Sequence, residues 1–206
     1  MPKTPSRKAL LSVLPLLLVS APAWTQTAPE VTPPSGPFST VGVFVGSGPT
    51  GRAYGTLPLF WQPQRHAEAV VLTPFYAGYA ELGGAYRTYD PLPQTSVPAF
   101  SSLQVFAGWG GVVPLGPRLR FHLGGRIGTH RMSFDADEDF EGLVNESELM
   151  AGLQARLHVR IAGPLVLFGA VTYQQTFTEV PMRTLYGLGG LGLQGRTPGW
   201  LLEVLR

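Results

Sequence analysis

Between Leu149 and Ile161 every odd position is apolar (Leu149, Ala151, Leu153, Ala155, Leu157, Val159, Ile161), while Gln154, Arg156, His158 and Arg160 fall between them. A two-residue period of this kind predicts a β-strand with one apolar face and one charged face. The pattern occurs one segment earlier as well, where Leu119, Phe121, Leu123 and Ile127 alternate with Arg118, Arg120, His122 and Arg126.

Six further segments alternate in the same way. Phe38 to Gly46 sets Val41, Val43 and Val45 against Thr40, Gly42 and Gly46. His66 to Tyr76 sets Ala67, Ala69, Val71 and Phe75 against His66 and Glu68; Tyr79 to Tyr89 sets Ala80, Leu82 and Tyr86 against Glu81 and Arg87. Ser102 to Val113 sets Leu103, Val105, Ala107, Trp109 and Val113 against Ser102, Gln104, Gly108 and Gly110. With Leu165 to Phe177 and Thr184 to Gln194, eight strands are expected. The aromatics Tyr76, Tyr79, Tyr86, Tyr89, Trp109, Phe134, Tyr173 and Phe177 fall mainly toward strand ends, as an interfacial girdle would require.

The N-terminus changes what these two-faced strands mean. Met1 to Ala23 has a basic start (Lys3, Arg7, Lys8), an apolar run from Ala9 to Val19 and a small-residue exit at Ala21, Pro22 and Ala23, the pattern of a cleaved secretory signal peptide. The apolar run is too short to span a membrane as a helix. Residues 24–37 carry Pro29, Pro33, Pro34 and Pro37 without periodicity and read as an extended linker. Cleavage removes every lysine, leaving 12 arginines against 13 acidic residues, so the basic pI of about 9.1 belongs to the precursor and nucleic-acid binding has no electrostatic support. There is no cysteine for a disulfide or a lipid anchor.

Connections alternate in length. Residues 114–117 and 162–164 are tight turns, whereas the links around Asp90 to Ala99, Asp135 to Ser147 and Thr178 to Arg183 are longer or more polar. Short turns at one end and longer loops at the other are what transmembrane barrels have, and lipid demands closure because it cannot satisfy an open sheet edge. Over Phe38 to Gly195 the chain resembles the small bacterial outer-membrane β-barrels of the OmpA/OmpX type. That resemblance implies an all-β, closed antiparallel up-and-down transmembrane barrel in the outer membrane. Chains of that type commonly end on an aromatic residue, whereas this one continues to Arg206. Residues 197–206 read as a short amphipathic helix with Thr197 as N-cap and Pro198 at its first position, or alternatively as an extra strand over Trp200 to Leu205. An extra strand would make the count odd, or ten if Arg52 to Trp61 adds another.

In an eight-stranded barrel the polar faces point into an interior just filled by side chains, and charges there need partners. The expected interior charge network comprises Glu68, Glu81, Arg87, Arg120, Arg126, Glu148, Arg156 and Arg160, with Glu68 and Glu81 bridging Arg120, Arg126, Arg156 and Arg160. Its positive excess suits an anion-preferring narrow pore as the alternative. In the loop after Phe134, Asp135, Asp137, Asp139 and Glu146 match positions 1, 3, 5 and 12 of a calcium-binding EF-hand loop, but Phe140 stands where glycine is needed and the flanks read as strands. A solvated acidic surface loop is the reading preferred.

Catalysis is not expected. A lipid A-modifying enzyme would need a converging nucleophile and base, and His130 and Ser133, three apart on a strand, lie on opposite faces. The four histidines share no metal-ligand spacing, and no cofactor is expected. A soluble periplasmic lipocalin-like binding barrel would need an apolar interior, which the arginine strands oppose. The expectation is therefore a monomeric barrel with a structural or surface-interaction role, its partners outer-membrane lipid and lipopolysaccharide and not nucleic acid.

Overall fold

The computed structural model describes residues 40–49, 51–76, 78–135, 147–177 and 182–204. The signal-peptide and linker assignments lie outside the described residues, as do Asp137, Asp139 and Glu146 of the acidic loop.

Among the described residues nine strands form in chain order: β1 (Thr40–Pro49), β2 (Arg52–Tyr54), β3 (Trp61–Phe75), β4 (Gly78–Pro91), β5 (Phe100–Pro114), β6 (Leu119–Phe134), β7 (Ser147–Ala162), β8 (Leu165–Thr176) and β9 (Met182–Arg196). From β3 to β9 each strand pairs antiparallel with the next; β1 pairs with β3 on one edge and β9 on the other, which closes the sheet. The segment β2 is no ninth stave. It pairs with β9 from Arg52↔Leu185 to Tyr54↔Arg183, continuing the line that β1 leaves at Ser47↔Gly189. The barrel is thus eight-stranded, up-and-down and closed. The alternative of ten strands is not seen: after β2 comes a single 3-10 turn, Leu57–Leu59, before β3 begins at Trp61.

At the C-terminal end, Gly199–Val204 forms a helix of six residues. This is a stub rather than a helix built on the expected cap, because Thr197 is buried and its hydroxyl has no hydrogen-bond partner among the described residues. Six residues close too few i→i−4 bonds to be stable without tertiary support.

Strand lengths of 12 to 16 residues from β3 to β9 suffice to cross a bilayer at a tilt. Strict alternation divides each between lipid and lumen. Outward-facing Val45, Leu103, Leu123, Leu153, Val171 and Leu193 are each more than half exposed and form an apolar belt. Outward-facing charges in the described strands (Arg52, Arg65, Asp90, Arg131, Arg183) all occur where the strands run into the longer loops. A large exposed apolar surface of this continuity is a membrane-contacting face.

The aromatic girdle is narrower than expected. Tyr76, Tyr86, Trp109, Tyr173 and Phe177 are exposed, but Tyr79 and Tyr89 are buried in the lumen. They share the parity of Glu81 and Arg87, so the strand alternation that carries those charges inward takes both tyrosines with them.

Candidate functional site

The lumen is filled by large side chains, among them Phe44, Phe106, Phe168, Tyr186 and the polar residues between them. At its centre two glutamates meet two arginines. Arg126 donates from Nη1 and Nη2 to the Glu68 carboxylate at 2.9 and 3.2 Å, and its Nε lies 3.2 Å from Glu81 Oε1. Arg156 Nη2 lies 3.4 Å from Glu68 and 3.5 Å from Glu81. All four side chains are at most 2 % exposed. The forked geometry of guanidinium lets each arginine reach both carboxylates, which an ammonium of similar length would do less well.

Each member arrives by register. Glu81 stands opposite Gly108 across β4 and β5, and a Cβ at Gly108 would come within 2.9 Å of the Glu81 side chain and 2.6 Å of the Gly125 carbonyl. Glycine there makes room for the carboxylate. Arg126 faces Gly152 across β6 and β7 and stacks its guanidinium on the Phe106 ring, 4.0 Å from the centroid. Gln154 donates to Glu68 at 3.5 Å and to the Thr172 hydroxyl at 3.1 Å.

Toward the longer loops the network continues through His66, whose Nε2 lies 3.7 Å from Glu68. Arg87 donates from Nε to His66 Nδ1 at 2.9 Å, from Nη2 to Gln174 at 3.0 Å and from Nη1 to Thr184 at 3.3 Å, while its guanidinium lies over the Tyr186 ring at 3.8 Å. Beyond this layer Leu57, Tyr89, Phe100 and Met132 pack together with Trp61, whose indole donates to the Pro98 carbonyl at 2.7 Å. An apolar cap therefore closes the loop end. His130, also buried, pairs through Nδ1 with the Thr176 hydroxyl at 2.9 Å.

Of the eight residues expected in the network, Glu68, Glu81, Arg126 and Arg156 meet directly, and Arg87 joins them through His66. Arg120 and Arg160 do not reach either glutamate. They sit nearer the short-turn end, where Arg120 donates to the Thr40 hydroxyl at 3.2 Å and Arg160 has no ion pair among the described residues. Glu148 is half-buried near the opposite end, in register with His130 and without an ion pair among the described residues. Asp135 is exposed, its amide donating to the Ala99 carbonyl. Ser133 faces outward and His130 inward.

Sequence reasoning missed the lumenal aromatics and Gln174, Thr172 and Tyr186, which complete the network. Their parity was the available signal: on β8 and β9, every even position from Val166 to Thr176 and from Thr184 to Leu188 is buried.

No protein-family model matches the chain, and no curated protein matches its sequence. Solved structures do match in fold. Neisserial surface protein A (NspA) superposes with a TM-score of 0.54 at 12% identity, covering 75% of this chain and 96% of that one. The Yersinia pestis attachment invasion locus protein Ail (TM-score 0.45, 11% identity, 76% and 99% coverage) and the N-terminal β-barrel domain of Pseudomonas aeruginosa OprF (0.43, 14%, 77% and 98%) are weaker likenesses. The resemblance to small eight-stranded outer-membrane barrels therefore holds for the fold, on the likeness to NspA.

Proposed function

We propose that this chain is an outer-membrane β-barrel, delivered by a cleaved signal peptide, that anchors its longer loops at the cell surface and performs no catalysis. The observation that carries this reading is the combination of an uncharged outer belt with a lumen closed by the Glu68, Glu81, Arg126, Arg156 cluster and the cap around Trp61. A barrel so filled has no passage for a substrate, and what remains variable is the loop end. Its immediate surroundings are then outer-membrane lipid and lipopolysaccharide, met as a monomer.

Because the chain has no cysteine, single-cysteine labelling tests the orientation cleanly. Gln94→Cys, in the exposed loop between β4 and β5, should react with a membrane-impermeant maleimide on intact cells; Gly116→Cys, in the turn between β5 and β6, should react only after permeabilisation. The reverse pattern would contradict surface display. Absence of deacylation or acyl transfer on lipid A by the folded protein is the accompanying expectation for a non-enzyme.

A narrow anion-preferring pore is the second reading, favoured by one observation: Arg87, Arg120, Arg126, Arg156 and Arg160 outnumber Glu68, Glu81 and Glu148 on the lumenal face. Planar-bilayer recording separates the two, since the filled barrel should give no sustained channel.

A further inference from the structure

At the short-turn end of the lumen, basic side chains converge without a carboxylate among the described residues that line the space. Arg120 and His158 are register partners across β6 and β7, and Arg160 lies two residues farther along β7. The rings of His122 and His158 stand 4.2 Å apart, buried to 5% and 2% exposure, and neither nitrogen of either ring has a hydrogen-bond partner among the described residues. Arg156 Nε and Nη1, in the layer just inside, are likewise without one. Each imidazole carries at least one N–H whatever its tautomer, and a buried donor left unmet is destabilising.

No acceptor among the described residues is paired with these ring donors. Glu81 and Glu68 are engaged with Arg126 and Arg156. The Thr40 hydroxyl, which accepts from Arg120, already takes the Gln194 amide at 2.7 Å. Two small cavities that share Arg120 and Gln194 open here, one of about 10 Å³ beside His158 and Arg160 and one of about 20 Å³ beside Tyr79 and His122. Such gaps admit one or two water-sized occupants. Water can accept from an N–H, but it does not neutralise the charge of Arg120 and Arg160.

We propose that the cavity beside His158 is a binding site for a small inorganic anion of halide size, held between Arg120 and Arg160 and accepting an N–H donor from His158. The volumes favour a halide over a tetrahedral oxyanion. The proposal is independent of what the loops do at the other end, since the anion completes the lumen from below.

The test uses the refolded chain in a maltoside detergent, which brings no phosphate, with ³⁵Cl NMR linewidth followed as chloride is raised at constant ionic strength. The expected result is a saturable excess linewidth, displaced by bromide. In Arg120→Gln/Arg160→Gln it should weaken about tenfold or more in affinity, the loss of charge-assisted hydrogen bonds, whereas Arg131→Gln, on the outer face, should leave it unchanged. If the double variant fails to fold, Arg160→Gln alone carries the comparison. No saturable broadening in the unaltered protein, or broadening retained in the folded variant, would overturn the site. Displacement by phosphate at lower concentration than bromide would overturn its assignment to a halide.

Discussion

Arg126 holds Glu68 by both terminal nitrogens across the lumen, 58 residues apart in sequence, and at the same time presents its Nε to Glu81. One guanidinium thus ties β6 to both β3 and β4, and the two carboxylates share a second cation in Arg156. The four residues behave as a unit. Removing a member leaves buried charge uncompensated, while removing the whole set would not.

Arg126→Met should therefore destabilise the barrel by ~3–5 kcal/mol, the scale for breaking a buried pair, because it strips partners from two glutamates together. Glu81→Gln should cost less, since Arg126 and Arg156 both keep Glu68. Urea unfolding in lipid vesicles followed by tryptophan fluorescence measures both. Equal stability of Arg126→Met and the unaltered chain would remove the cluster from any structural role.

The outer belt makes a prediction that depends on depth. Leu153, outward near the middle of β7 and well exposed, should cost ~2–4 kcal/mol when replaced by Arg. Ser133→Arg, outward one residue from the end of β6, should cost no more than ~1 kcal/mol by the same depth dependence. The same unfolding assay reads the contrast. Similar small costs at both positions would mean that the apolar face does not meet hydrocarbon.

Glycines on the two faces should respond with opposite tolerance. Gly108→Ala drives a Cβ against the Gly125 carbonyl and the Glu81 side chain, an overpacking worth ~1–3 kcal/mol. At Gly169 a Cβ meets nothing within 4 Å, and Gly169→Ala should be neutral or stabilising by up to ~1 kcal/mol through the unfolded chain. Comparing folded yield and unfolding midpoints of the pair checks that lumenal glycine here is a matter of space.

The strand periodicity, the two faces and the alternation of turn and loop were legible in the sequence because each is local: a residue's face follows from its parity within ten or so neighbours. Glu68, Glu81, Arg126 and Arg156 could be assigned to one interior on that basis. Which arginine reaches which glutamate was not legible, because partners across the lumen are fixed by strand stagger. Arg120 and Arg160 have the right face but sit too near the short-turn end to reach Glu68 or Glu81. Tyr79 and Tyr89 lie in the lumen and not in the girdle, because an aromatic near a strand end suits either face and only parity decides. The bulge between Pro63 and His66 further breaks the alternation that brings Trp61 to the cap.

The central claim, a closed barrel in the outer membrane, is met most directly by fractionating cells and running the membrane fraction unheated and boiled on a denaturing gel. The account predicts recovery in the outer-membrane fraction, solubilisation only with detergent, and a band that shifts on boiling as the closed sheet unfolds. A protein recovered in the soluble periplasm without detergent would contradict it and return the chain to the soluble barrels.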